Sequence, residues 1–140
     1  MAEISKIMGK EGTDVCRVTG FDLGDREIHM AEIKQRYIPN IIDAARKCDY
    51  IDRVVLFGSS LEERCREQSD IDLAVFGNQP KGKCLTSRKY KDFYDQLIWF
   101  DDLNQAYDVL YFRSGKKDTS PIMREIDRGE VLYDKQSADR

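Results

Sequence analysis

The sequence predicts a small α/β (α+β) domain, a mixed β-sheet flanked by helices, and three observations carry that reading. Two short runs, Arg53–Phe57 and Ile71–Phe76, are rich in branched and aromatic residues, as strands are. Two longer segments, Asp25–Cys48 and Ser87–Asp102, repeat their apolar residues at helical spacing. Apolar residues make up 41% and charged ones 35% of 140 residues, which suits one domain around one core.

In chain order, residues 1–24 are polar and glycine-punctuated, and are expected to form an arm, either a short hairpin or partly ordered. The domain proper is expected over 25–134. Met30, Ile33, Tyr37, Ile41, Ala44 and Ala45 mark the apolar face of a helix over 25–48. Pro39 either kinks that helix or begins a second one, since proline fits a first turn but not a helix interior. Arg53–Phe57 is a strand that stops at Gly58, and the polar stretch Leu61–Gln68 has room for a short helix.

Ile71–Phe76 is the second strand, closed by turn-forming residues 77–83. The stripe Tyr90, Phe93, Tyr94, Leu97 and Ile98 makes Ser87–Asp102 a helix with a core-facing side, and Trp99 with Phe100 extends past it as a hint of a partner surface. Ala106–Phe112 is a third strand. Ser120 as N-cap, Pro121 at the first helical position and Gly129 past the end frame another helix. Glu130–Asp134 is a fourth strand or an extended tail, and 135–140 are expected to be loose.

The net charge of −3 exerts no general pull on nucleic acid or an anionic membrane. No apolar run approaches the roughly 18 residues of a membrane span, and the polar start does not read as a signal peptide. Cys16, Cys48, Cys65 and Cys84 are widely spaced and only His29 accompanies them, which argues against zinc and for free thiols in a reducing cytoplasm. His29 reads as a surface residue. The one basic stretch, Pro80–Lys91, reads as a solvated face, with contact to an acceptor phosphate as the alternative.

Chemistry concentrates between Val54 and Phe76. Asp70 and Asp72 are one residue apart, so a strand places both on one face. Two such carboxylates repel unless a cation sits between them, and Mg²⁺ prefers oxygen ligands completed by water and phosphate. At the end of the preceding strand, Gly58-Ser59 is a corner where backbone N–H groups and the hydroxyls of Ser59 and Ser60 meet an anion. A metal grip beside a phosphate grip is a site for a nucleoside triphosphate. Metal pairs about 3.5–4 Å apart need a further carboxylate. Asp108, a charge interrupting an apolar strand, is the candidate, ahead of Asp101 and Asp102 at a helix end.

The stretch Phe57–Phe76, with Gly58-Ser59, ten residues, then Asp70-x-Asp72 preceded by Ser69, resembles the signature of the DNA polymerase β-like nucleotidyltransferase superfamily. It is most similar to the minimal nucleotidyltransferases, over roughly Ala31–Asp134. The resemblance implies the polymerase β-like palm fold. Gly58 and Ser59 would hold the β- and γ-phosphates of an NTP, with ATP the expected one. Asp70, Asp72 and Asp108 would be the catalytic residues and the ligands of two Mg²⁺ ions, with Asp108 on the base side. Ser69, counted with the nucleotide-binding residues, would orient the start of the second strand.

The implied reaction is transfer of a nucleoside monophosphate to a hydroxyl acceptor, with pyrophosphate leaving. In that family, small members are often paired with a helical protein of the HEPN type, some as toxin–antitoxin modules in which the partner is nucleotidylated. One departure stands out. Where many members carry Arg-Gly shortly after Gly-Ser, this chain has Glu62 and Glu63, leaving Arg64 or Arg66 to supply positive charge. Two other readings follow: a nucleotide-binding or interaction protein without turnover, and a small-molecule adenylyltransferase of the aminoglycoside or lincosamide kind, whose acceptor pocket a homodimer would build.

Overall fold

Strands β1 (Val18–Asp22) and β2 (Glu27–Ala31) form an antiparallel hairpin ahead of the main sheet. Gly24, at φ +103°, turns the chain between them, with its N–H on the Asp22 carboxylate at 2.7 Å. The computed structural model describes residues 16–138. Of the expected 1–24 arm, 1–15 therefore lie outside the described residues, and the rest is the first half of this hairpin. The boundary expected at residue 25 falls in the hairpin turn.

The helix expected over 25–48 is corrected at its start. Glu27–Ala31 is a strand, Glu32–Tyr37 is a 3₁₀ turn, and only Ile38–Arg46 (α1) is an α-helix, with Pro39 in its first turn. The 3₁₀ period of three puts Ala31, Lys34 and Tyr37 in line, and all three are buried. Ile33, placed on the apolar face by a 3.6 period, is 38% exposed. The period changed, so the buried face changed with it.

Four strands form the main sheet: β3 (Ile51–Phe57), β4 (Ile71–Gly77), β5 (Tyr107–Arg113) and β6 (Glu130–Asp134), in the order β5-β4-β3-β6. β3 is antiparallel to both neighbours, while β4 and β5 run parallel. Parallel neighbours need a crossover. Here it carries α2 (Lys81–Leu85) and α3 (Arg88–Trp99). Ser87 caps α3, its hydroxyl accepting from Tyr90 N–H at 3.1 Å. Helix α3 packs on α1, where Gln96 bonds Asn40 and Asp43, each at 2.9 Å.

Alternation along the strands divides the core in two. Val54, Leu56, Ile71, Leu73, Val75, Tyr107 and Tyr111 face α1 and α3. Val55, Phe57, Ala74 and Phe76 face the other way, towards α4 (Ile122–Asp127). Helix α4 begins one residue later than the sequence predicts. The Ser120 hydroxyl donates to Asp118, so it does not cap the helix. At its other end, a Cβ on Gly129 would collide with the Leu56 carbonyl oxygen and approach Val55 Cγ1 to 2.8 Å; a bare glycine lets the chain lie against β3.

The expected loose tail begins with a short helix, α5 (Lys135–Ala138). All four cysteines are buried and free. Among the described residues no helix is long and apolar enough to cross a membrane.

Candidate active site

The face of the sheet that carries α4 also carries the carboxylates. Asp72 shares it with Ala74 and Phe76, and Asp108 shares it with Leu110 and Phe112. The parallel register sets Asp72 beside Asp108. Asp70 stands one residue ahead of β4, exposed, while Asp72 is half-buried. Burial pushes the Asp72 carboxyl up to about 6, and the negative charges of Asp108, Asp70 and Glu125 push in the same direction; Arg64 opposes them. Glu125, on α4, is a fourth carboxylate in this field. A short amphipathic helix without its partner sheet gave no signal for it.

The Gly58-Ser59 corner meets the same residue. Phe57 pairs with Asp72 across β3 and β4, and Gly58 follows at φ +78°. A Cβ at Gly58 would come within 3.1 Å of Asp72 Cγ, and closer still to its carboxylate oxygen. Position 58 is therefore restricted twice, by its backbone conformation and by its neighbour. The corner is a single 3₁₀ turn over Gly58–Leu61, closed by Glu62 N–H on the Ser59 carbonyl at 2.9 Å. The helix for which Leu61–Gln68 has room does not form; turns and irregular chain take its place. Ser59 is half-buried, and Ser60 is fully buried with its hydroxyl unpartnered.

The Ser69 hydroxyl accepts from Arg66 N–H at 2.9 Å and so closes the turn that leads into Asp70. Arg64 pairs with Glu62, one of the acidic residues in the Arg-Gly position. Arg66 directs its guanidinium at the Cys65 carbonyl oxygen, 3.1 Å away. Asp101 is engaged elsewhere, with Tyr37 Oη at 2.7 Å and Arg36 at 2.9 Å. The Tyr37 hydrogen bond holds its carboxyl below the usual range. Asp102 sits in the left-handed region at φ +51° as the chain leaves α3. The basic stretch 80–91 belongs to the opposite layer, where Arg88, Lys89 and Lys91 pair with Asp92, Asp49 and Asp95.

The donors fit a hard divalent cation in kind: all are carboxylate oxygens, in excess over positive charge, one of them half-buried. They are not a finished cage. Among the described residues no three His, Cys, Asp or Glu side chains form a group ready to hold a metal. Asp70, Asp72 and Asp108, expected as ligands of two Mg²⁺ ions, thus form a loose cluster rather than a closed cage. Such a cluster suits Mg²⁺, which commonly takes one or two carboxylates and completes its shell with water and substrate phosphates.

Sequence reasoning missed Lys34 and Gln105. Lys34 is 1% exposed, with its ammonium on the carbonyl oxygens of Glu67 (2.9 Å) and Ser69 (2.8 Å) and on Gln105 Oε1 (2.6 Å). Burial lowers its pKa, while the nearby Cys65, Glu67 and Asp70 raise it. A lysine in line with two buried residues at a spacing of three is the signal that would have found it.

No curated protein matches the chain. The model of the family described as "Polymerase beta, Nucleotidyltransferase" matches residues 39–138, from the start of α1 to the end of α5. That span holds the glycine corner and all three aspartates, and the chain belongs to the polymerase β-type nucleotidyltransferase family.

Proposed function

We propose that this chain is a Mg²⁺-dependent nucleotidyltransferase of the minimal type, moving a nucleoside monophosphate from an NTP, ATP by preference, to a hydroxyl acceptor. The observation that carries the reading is the contact of Gly58 with Asp72, which itself stands beside Asp108. A phosphate corner and a carboxylate pair then occupy one place on one sheet face.

In this reading Gly58 and Ser59 seat the terminal phosphates, and Asp70 and Asp72 hold the cations with Asp108. Bound Mg²⁺ supplies neutralisation of the phosphates and of the departing pyrophosphate. Asp108, the exposed member of the pair, stands on the side of the attacking hydroxyl and orients it. Burial and like charges hold the Asp72 carboxyl high, and a cation bound beside it would favour its ionised form. The acceptor hydroxyl is assigned to a helical partner protein of the HEPN type. Trp99 (59% exposed), Phe100 and Leu103 support a protein partner.

One observation favours a second reading, binding without turnover. Glu62 engages Arg64, whose charge opposes the rise of the Asp72 carboxyl, and so draws on the charge that a triphosphate would need. Incubation with Mg²⁺ and each α-labelled NTP, with and without cell extract, separates the two. Label transferred to a macromolecule supports the first reading. Label retained at equilibrium but never transferred supports the second, and no retention at all rejects both.

A further inference from the structure

We propose that Lys34, acting through Gln105, is a positioning residue: it fixes the starts of β4 and β5 against each other and thereby sets the spacing of Asp70, Asp72 and Asp108 for a divalent cation. This rests on the nucleotidyl-transfer reading. Neither strand start is fixed by a hairpin turn, because β4 and β5 are parallel and joined through α2 and α3. The parallel ladder sets their register, and contacts ahead of it hold the two strand starts against each other. Lys34 and Gln105 supply them.

An ammonium has three N–H donors. Lys34 meets three acceptors: two backbone carbonyls in the turn before Asp70, and the side-chain oxygen of Gln105, just ahead of β5. Gln105, itself buried, donates back to the Ser69 carbonyl at 3.0 Å and to its neighbour Ala106 at 2.7 Å. Ile71 N–H then reaches the same Ala106 carbonyl at 3.0 Å. Two of these links, Gln105 to the Ser69 carbonyl and Ile71 N–H to the Ala106 carbonyl, join the β4 start to the β5 start directly, and Lys34 bridges the two through the Ser69 carbonyl and Gln105.

A space-filling role would suit methionine, since an ammonium this deep is costly unless fully bonded. The charge has the right sign as well, for the Lys34 ammonium interacts favourably with Asp70. Lys34 also precedes residues 39–138, so the matched domain does not contain it.

The test is Mn²⁺ binding by electron paramagnetic resonance on the full chain, well below the melting temperature, for wild type, Gln105→Met, Lys34→Met and the double variant. Partners that orient metal ligands are typically worth about 10–100-fold in metal affinity. Each single variant should weaken Mn²⁺ binding by about tenfold or more, and the double variant should be no weaker than the worse single, because the two residues act as one unit. If Lys34→Met does not fold, Gln105→Met, which leaves Lys34 its two carbonyls, decides alone. Folded variants that melt lower but bind Mn²⁺ like wild type overturn the proposal and leave the nucleotidyl-transfer reading standing. A wild type that binds no more Mn²⁺ than Asp72→Asn removes that reading, and the positioning role with it.

Discussion

Asp72 and Asp108 stand side by side in a parallel ladder, the first half-buried and the second exposed. Two like charges in register on neighbouring strands are a standing cost to the fold unless a cation joins them.

The first prediction follows from that cost. The Asp72 carboxyl is near 6 in the folded chain and about 3.9 in the unfolded one. A raised acid contributes stability that is fully present below the unfolded value and lost as pH rises through the folded value. The metal-free protein should therefore lose stability between about pH 4 and 6, by about 2–3 kcal/mol. Asp72→Asn should flatten that dependence and melt roughly 5 °C above wild type at pH 7.5. Mg²⁺ with a triphosphate should raise the wild-type melting temperature and leave the variant unmoved. Differential scanning fluorimetry across pH reads all three; a variant less stable than metal-free wild type would make Asp72 a structural residue.

Gly58→Ala places a methyl group where the Asp72 carboxylate now lies, on a backbone at φ +78°. The conformation alone costs about 1–2 kcal/mol. Displacement of Asp72 should cut transfer by roughly a hundredfold, as loss of one preorganised electrostatic contact does. Chemical denaturation and label transfer measured together should show activity falling further than the stability change explains.

Gly129→Ala meets backbone rather than a movable side chain, so α4 must shift from β3. A loss of roughly 1–3 kcal/mol is expected by urea denaturation. An unchanged midpoint would mean that the turn after α4 gives way easily.

Ser87→Ala removes the cap of α3 on the far layer of the sheet. It should cost about 1 kcal/mol and leave the Mg²⁺ response intact. A lost Mg²⁺ response would show that the two layers are coupled.

The strands and the carboxylate pair were legible because alternation on a strand is strictly local: Asp72 and Asp108 interrupt apolar runs on the same parity as Ala74 and Leu110. Glu27–Ala31 was not. Its Met30 also fits a helical stripe continued by Ile33 and Tyr37, and only pairing with Val18–Asp22 settles it as a strand. Gly58 was legible as a turn, but its contact with Asp72 depends on the register of β3 with β4. For Lys34 only the burial had a local signal, the spacing of three; its three acceptors come from segments distant in sequence, so no window around it shows its role.

The connection between β4 and β5 also has a kinetic meaning. Gly58 and Asp72 belong to antiparallel neighbours joined directly, whereas Asp108 reaches them only after a crossover with two helices. Loop-closure entropy favours the first contact early and leaves the second to the closing stage of folding. Repulsion between the two aspartates then acts on that last closure, and a cation that relieves it works as a latch. It should slow unfolding while leaving the early folding rate nearly unchanged, so bound metal would prolong the lifetime of the native state more than it speeds its formation.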